Sequence, residues 1–180
     1  VHVRSSFTNR SGTLITKKNN IKNNKIIRGI SFTKNDAKIT LVGVKDRPGI
    51  AASIFEPLSK NNINVDMVVQ NISANGSETD ITFTVKNEDL KKSVKTLKKN
   101  NLFKYKKILV DDKVSKVSII GVGMITTPGV TYRMFKSLSK KKINILVIST
   151  SEIKISVLIK RSNVKKAVAA LHKEFNLSKV

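Results

Sequence analysis

The sequence predicts an α+β fold of two βαββαβ modules, the first inserted within the second, and three observations carry that prediction. One is an internal repeat: Lys38–Asn64 reads KITLVGVKDRPGIAASIFEPLSKNNIN, and Lys116–Asn144 reads KVSIIGVGMITTPGVTYRMFKSLSKKKIN. Gly43 and Val44 match Gly121 and Val122. After two extra residues, Pro48, Gly49, Phe55, Leu58, Ser59, Lys60, Ile63 and Asn64 match Pro128, Gly129, Phe135, Leu138, Ser139, Lys140, Ile143 and Asn144. The later halves also align, Ile81–Leu97 (ITFTVKNEDLKKSVKTL) against Ile155–Leu171 (ISVLIKRSNVKKAVAAL). Such self-similarity marks a duplicated supersecondary unit. The second observation is that each copy switches hydrophobic period between 2 and 3.6 in the same order. The third is a strand missing from the end of the second copy and a spare one ahead of the first.

In the first copy, Lys38–Val44 is short, apolar and β-branched, as a half-buried strand requires. Pro48-Gly49 ends it, and Ile50, Ile54, Phe55 and Leu58 form a helical stripe that Pro57 should kink or shorten. Strands follow at Ile63–Ile72 and Thr79–Val85, joined by a turn at Asn75-Gly76. Asn87 is placed to cap a helix over Glu88–Lys99 with Leu90, Val94 and Leu97 inward. Tyr105–Val110 supplies the last strand. This order is the ferredoxin-like split βαβ arrangement.

The second copy has strands at Lys116–Val122, Ile145–Ser149 and Ile153–Ile159, and helices near Gly129–Lys141 and Asn163–Glu174. Its closing strand is expected from Lys25–Phe32 (KIIRGISF), which crosses over from ahead of the first module. The modules are thus residues 38–112, and residues 25–37 with 113–180. Val1–Phe7 reads as a strand, and Lys17–Asn24 reads as a tether. The absence of an initial Met suggests a piece of something longer.

Composition narrows the function. With 39% hydrophobic residues the chain can bury cores, and with no Cys it has neither disulfides nor thiolate metal sites, which suits a reducing cytoplasm. No apolar run reaches the roughly 20 residues that span a bilayer. The net charge of +23 invites a nucleic-acid reading, but only six of the 35 basic residues are Arg, and aromatics are 5% with no Trp. Bidentate phosphate recognition and base stacking are poorly served by such a surface, so a solvated lysine face is expected, with no nucleic-acid or membrane partner. There is no phosphate-binding glycine loop and no nucleophile elbow.

The segments VGVKDRPGIAASIFEPL, NINVDMVVQNIS, TDITFTV, GVGMITTPGVTYRMF and INILVISTSEIKISVLI resemble the regulatory half of bacterial aspartate kinases, in which two ACT modules are nested in this way. The resemblance is nearest the lysine- and threonine-controlled type, whose regulatory half is also made as a small subunit. Val1–Thr13 (VHVRSSFTNRSGT) resembles the end of the kinase domain, so residues 1–24 would be that end and the tether. The resemblance implies feedback control: threonine, lysine or both bind the ACT modules, which pair into a homodimer and inhibit aspartate phosphorylation. The catalytic domain or subunit, with its ATP and magnesium, would lie outside this chain, which itself would carry no cofactor and no catalytic residue.

A zwitterionic amino acid needs donors for its carboxylate and acceptors for its ammonium group. The turn Asp46–Ala51 offers both: Pro48 and Gly49 shape it, Ile50 and Ala51 open a helix, and Asp46 or Asp66 can accept from an ammonium. Asn64, Gln70 and Thr82 add neutral hydrogen bonds. The resemblance extends the effector role to Val65, Asn144, Ile145, Thr150, Ser151 and Glu152. Some have a plainer reading: Gly49 as a turn glycine, Asn64 and Asn144 as helix-exit caps, Asp66 and Gln70 as a solvated strand face. The second loop has Thr126 where the first has Asp46, so it is the poorer pocket. A free-standing ACT sensor would share most of these features. An RNA-binding module would need paired aromatics on its central strands, and an acylphosphatase-like enzyme an Arg- and Asn-bearing phosphate loop; neither is evident.

Overall fold

The computed structural model describes residues 1–8, 11–14, 26–72 and 76–177. Near the start, β1 (His2–Val3) pairs antiparallel with β2 (Thr13–Leu14); the expected strand over Val1–Phe7 thus shrinks to two residues. The expected tether, Lys17–Asn24, and residues Lys25 and Asn75 lie outside the described residues.

The first module is β4 (Asp36–Lys45), α1 (Ile50–Lys60), β5 (Val65–Ile72), β6 (Glu78–Lys86), α2 (Leu90–Lys99) and the first half of β7 (Lys107–Ile120). The second takes the other half of β7, then α3 (Val130–Lys140), β8 (Val147–Ser151), β9 (Lys154–Lys160) and α4 (Val164–Glu174). Its remaining strand is β3 (Gly29–Phe32), which pairs antiparallel with β7 from Gly29↔Ile120 to Phe32↔Val117. The first module is therefore inserted within the second.

Sequence periodicity shows as burial. Ile50, Ile54 and Leu58 of α1 recur at helical spacing and are buried against Ile39, Leu41 and Phe83 of the sheet, with Phe55 edge-on to Phe83 at 5.2 Å. Val130, Met134 and Leu138 repeat the pattern in α3 against Val117, Ile119 and Val157. Each such side chain, fully buried, contributes about 1.5–3 kcal/mol. Both helices start after a left-handed glycine, Gly49 at φ +83° and Gly129 at φ +85°. Both end in the same motif: Asn62 and Lys142 adopt φ +54° and +55°, and the amides of Ile63 and Ile143 return to the carbonyls of Leu58 and Leu138.

Several expectations are corrected. Pro57 lies inside α1 without shortening it, since the helix continues to Lys60. Asn87 does not cap α2 with its side chain; it opens a 3₁₀ turn, Asn87–Asp89, and the residue preceding α2 is Asp89. The strands read separately as Tyr105–Val110 and Lys116–Val122 are one 14-residue strand, β7. Its first half pairs with β4 (Val42↔Lys107 to Asp36↔Val114) and its second with β9 (Val114↔Lys160 to Ile120↔Lys154). One sheet, β5-β6-β4-β7-β9-β8, thus runs through both modules. The sheet bends back until β5 and β8 are in contact. Met67, Val114 and Leu158 form a small buried cluster between the modules, with Leu146 and Val147 against it.

Candidate functional site

The turn between β4 and α1 is built by its own backbone. The Asp46 amide donates to the Ser77 carbonyl at 3.0 Å, and the Ile50 amide to the Arg47 carbonyl at 3.1 Å. Ile50 N–H is thus already engaged. The next amide, of Ala51, has no carbonyl within the helix to bond and carries the positive end of the helix dipole. Gly49 leaves open space where a Cβ would stand. From the neighbouring strand β5, the Gln70 side-chain amide donates to Asp46 Oδ1 at 3.4 Å. An acid, an amide and a helix start therefore meet at one exposed turn.

The other expected site residues divide between the two faces of β5. On the helix-covered face, Asn64, Val65 and Val68 line a groove of about 560 Å³ with Phe55, Ser59 and Ile63 of the α1 side. Asn64 and Asn144 do not cap the helix exits, because Asn62 and Lys142 close them through their backbones. On the opposite face, Thr82 and Ile145 line a cleft of about 290 Å³ with Val69, Asn71, Leu146 and Ile148. Thr82 also shares a 2.9 Å hydrogen bond with Thr40. The two sets are separated by the sheet, so one bound amino acid cannot touch both Gln70 and Thr82 of the same chain. Asn144 is exposed, Thr150 and Ser151 are the exposed last residues of β8, and Glu152 opens the turn to β9, where Ser151 Oγ donates to the Lys154 carbonyl at 3.3 Å.

Asp66 faces neither the turn nor a groove. It forms an ion pair with Lys116 of β7, joining the first module to the second. The Lys116 side chain is 15% exposed against 53% for Asp66, so the pair sits at the rim of the inter-module contact. The Lys116 amide donates to the Asp36 carboxylate at 3.1 Å, and that carboxylate also accepts from the Thr33 hydroxyl. Arg161 donates to the carbonyls of Val114 and Asp36, at 3.4 and 3.3 Å, and to that of Asp112. Lys116, Asp36 and Arg161 were not singled out as site residues from sequence, and their surroundings (Lys116 lies between Ser115 and Val117) carry no distinctive signal.

The second module's matching loop is covered at its start. A Cβ on Gly121 would lie 2.8 Å from Ile27 Cα, and one on Gly123 would lie 2.6 Å from Ile26 Cα. The chain entering β3 therefore packs against the start of this loop, as Lys106, entering β7, packs against the matching Gly43, where a Cβ would lie 2.6 Å from the lysine side chain; Gly129, like Gly49, leaves open space. Among the described residues no group of three or more His, Asp or Glu side chains is arranged to hold a metal ion. No helix among them is long and apolar enough to cross a membrane.

The ACT-domain family profile matches residues 39–100 and 117–175. The chain is similar to the aspartokinase of Mycolicibacterium smegmatis, 42% identical over 183 residues that cover 98% of this chain and 43% of that protein. Among solved structures it is similar to the aspartokinase alpha and beta subunits (42% identity, TM-score 0.77). It is also similar to the ligand-free regulatory subunit of aspartate kinase from Thermus thermophilus (34% identity, TM-score 0.78). Each covers 84% of this chain and 99% of the solved one. The chain spans less than half the length of the curated relatives it matches.

Proposed function

The chain belongs to the aspartokinase family, as its ACT-domain regulatory region, and from this premise we propose that it binds threonine or lysine and thereby restrains aspartate phosphorylation. The observation that carries the reading is the meeting of Asp46, Gln70 and the start of α1 at one open turn. Asp46 accepts from the effector's ammonium group, Ala51 N–H and the helix dipole hold its carboxylate, and Gln70 bridges to its polar side chain. Gly49 is the residue that lets the ligand approach the backbone, with Pro48 stiffening the turn. The second module is the poorer pocket in this reading, because Thr126 stands where the first module has Asp46.

Among the described strands β5, β8 and β3 each pair on one side only, with β5 and β8 close to one another, and in a homodimer such an edge can extend a partner's sheet. Such pairing brings a partner's Asn144, Ile145 and Thr150–Glu152 toward Asn64, Val65 and Gln70, so the site is shared between chains. Binding favours the closed seam, and the attached kinase follows as a population shift. In this reading residues 1–24 are the end of the kinase part and its tether, the catalytic part supplies the sites for ATP and magnesium, and the assembly works in the cytoplasm.

Thermal unfolding in the presence of each of the twenty amino acids tests the reading. A ligand at 100 times its Kd stabilises by about 2.7 kcal/mol, roughly 5–11 °C for a chain of this size. Threonine or lysine should produce that shift and alanine should not. A shift with neither, or the same shift with all, contradicts it. Adding the chain to the catalytic part then separates the kinase regulator from a free-standing ACT sensor, which would leave phosphorylation unchanged.

A further inference from the structure

The second module carries a slot that the effector reading does not use. It lies between the outer edge of β3 and α4, with a volume of about 530 Å³. Its floor is apolar: Phe32, 44% exposed, with Val164, Val168 and Ala169 from α4. Phe32 shares the face of Ile30, which packs into the second core, so the ring points under the helix rather than away from it. The rim is cationic. Lys34, Lys165 and Lys173 all line the slot, Lys34 Nζ sits 5.6 Å from the centre of the Phe32 ring, and none of the described lining residues is acidic. Beside the slot, β3 pairs with β7 on one side, and no other strand among the described residues pairs with it.

We propose that this slot docks an extended acidic segment of a partner protein. The segment adds as a strand along β3, sets an aliphatic side chain on Phe32 and Val168, and places its carboxylates against Lys34, Lys165 and Lys173. Strand addition supplies main-chain hydrogen bonds, while the pocket beside the edge selects the alternate side chains. Charge complementarity selects an acidic partner and speeds encounter. A second basic groove on the molecule shows what is distinctive here. Between α1 and α2, Lys92, Lys95 and Lys99 line a groove whose other described lining residues are Pro57, Asn61, Thr96 and Asn100. That groove has charge but neither an apolar floor nor an unpaired strand beside it.

The test is titration of the chain at 50 mM salt with the peptide acetyl-EEIEVEE-amide, followed by fluorescence anisotropy of a labelled copy. The double variant Lys165→Glu/Lys173→Glu should lose at least tenfold in affinity, and Lys92→Glu/Lys95→Glu, with the same change in net charge, less than twofold. Exchanging Ile and Val of the peptide for Ser should also cost at least tenfold. Absent binding, equal losses in the two double variants, or indifference to the Ser exchange would each overturn the proposal, the last two by showing attraction to a +23 chain rather than docking. Sedimentation of wild type and Phe32→Ser completes the test. Self-association lost with Phe32 would overturn it in favour of a second copy; unchanged sedimentation, with peptide binding lost, is the expected result.

Discussion

Replacing Gly121 by alanine tests how the two modules are threaded together. Gly121 has φ 175° and ψ 139°, an extended conformation open to any residue, so alanine brings no backbone strain there. What it brings is a methyl group against backbone: the Cβ would lie 2.8 Å from Ile27 Cα and nearer still to the Ile26 carbonyl. A flexible side-chain tip could swing away, but main chain entering a strand cannot do so cheaply. Ile27 is only 2% exposed, in the second core, so any shift there also unpacks the core. Overpacking costs about 1–3 kcal/mol, and contact with backbone places this change near 3. For a chain of this length that lowers Tm by about 6–12 °C. Gly29→Ala is the matched control on the same segment, because nothing lies within 4 Å of its Cβ position; it should be neutral or stabilising by less than about 1 kcal/mol. Calorimetry or circular dichroism melts of the three proteins decide it. Equal Tm values for Gly121→Ala and wild type would mean that residues 26–27 do not lie on the second module.

Three further outcomes are expected. Asp66→Asn should destabilise more than Lys116→Met, by about 1 kcal/mol in urea unfolding, because it strands a mostly buried ammonium whereas the reverse leaves a half-exposed carboxylate to water; the opposite order would remove the pair from the module junction. Gln70→Ala should weaken threonine or lysine binding tenfold, a change of about 1.4 kcal/mol, while Thr126→Ala changes it less than twofold; equal effects would move the site to the other module. The purified chain with ATP, magnesium and aspartate should form no aspartyl phosphate above a buffer control, and any such product would overturn its assignment as a regulatory region alone.

The duplicated module was legible because Ile50, Ile54 and Leu58 and their counterparts Val130, Met134 and Leu138 repeat a buried stripe, and burial is what periodicity reports. The crossing strand was legible by elimination, as a module one strand short beside an unused strand. The continuity of β7 was not. Asp111, Asp112 and Lys113 break the apolar run because they stand where the strand passes between the two cores, with one side uncovered. The Asn87 cap failed for a local reason: the chain enters α2 through a 3₁₀ turn, which moves the helix start two residues on, from Glu88 to Leu90. In the candidate site, the turn at Asp46 and Gly49 was readable from residue types. The pairing of Asp66 with Lys116 was not, because the two are 50 residues apart and meet only when one module folds back on the other. The division of Gln70 and Thr82 between two faces likewise depends on strand register, which single residues do not reveal.

Isothermal titration of threonine and of lysine into the wild-type chain and into Asp46→Ala, both shown folded by circular dichroism, bears most directly on the central claim. Saturable binding of at least one of the two to wild type, weakened at least tenfold in Asp46→Ala, is the predicted result. Undiminished binding to the variant, or no heat from either amino acid up to about 10 mM with wild type, where even a 1 mM Kd of about −4.1 kcal/mol would register, would contradict it.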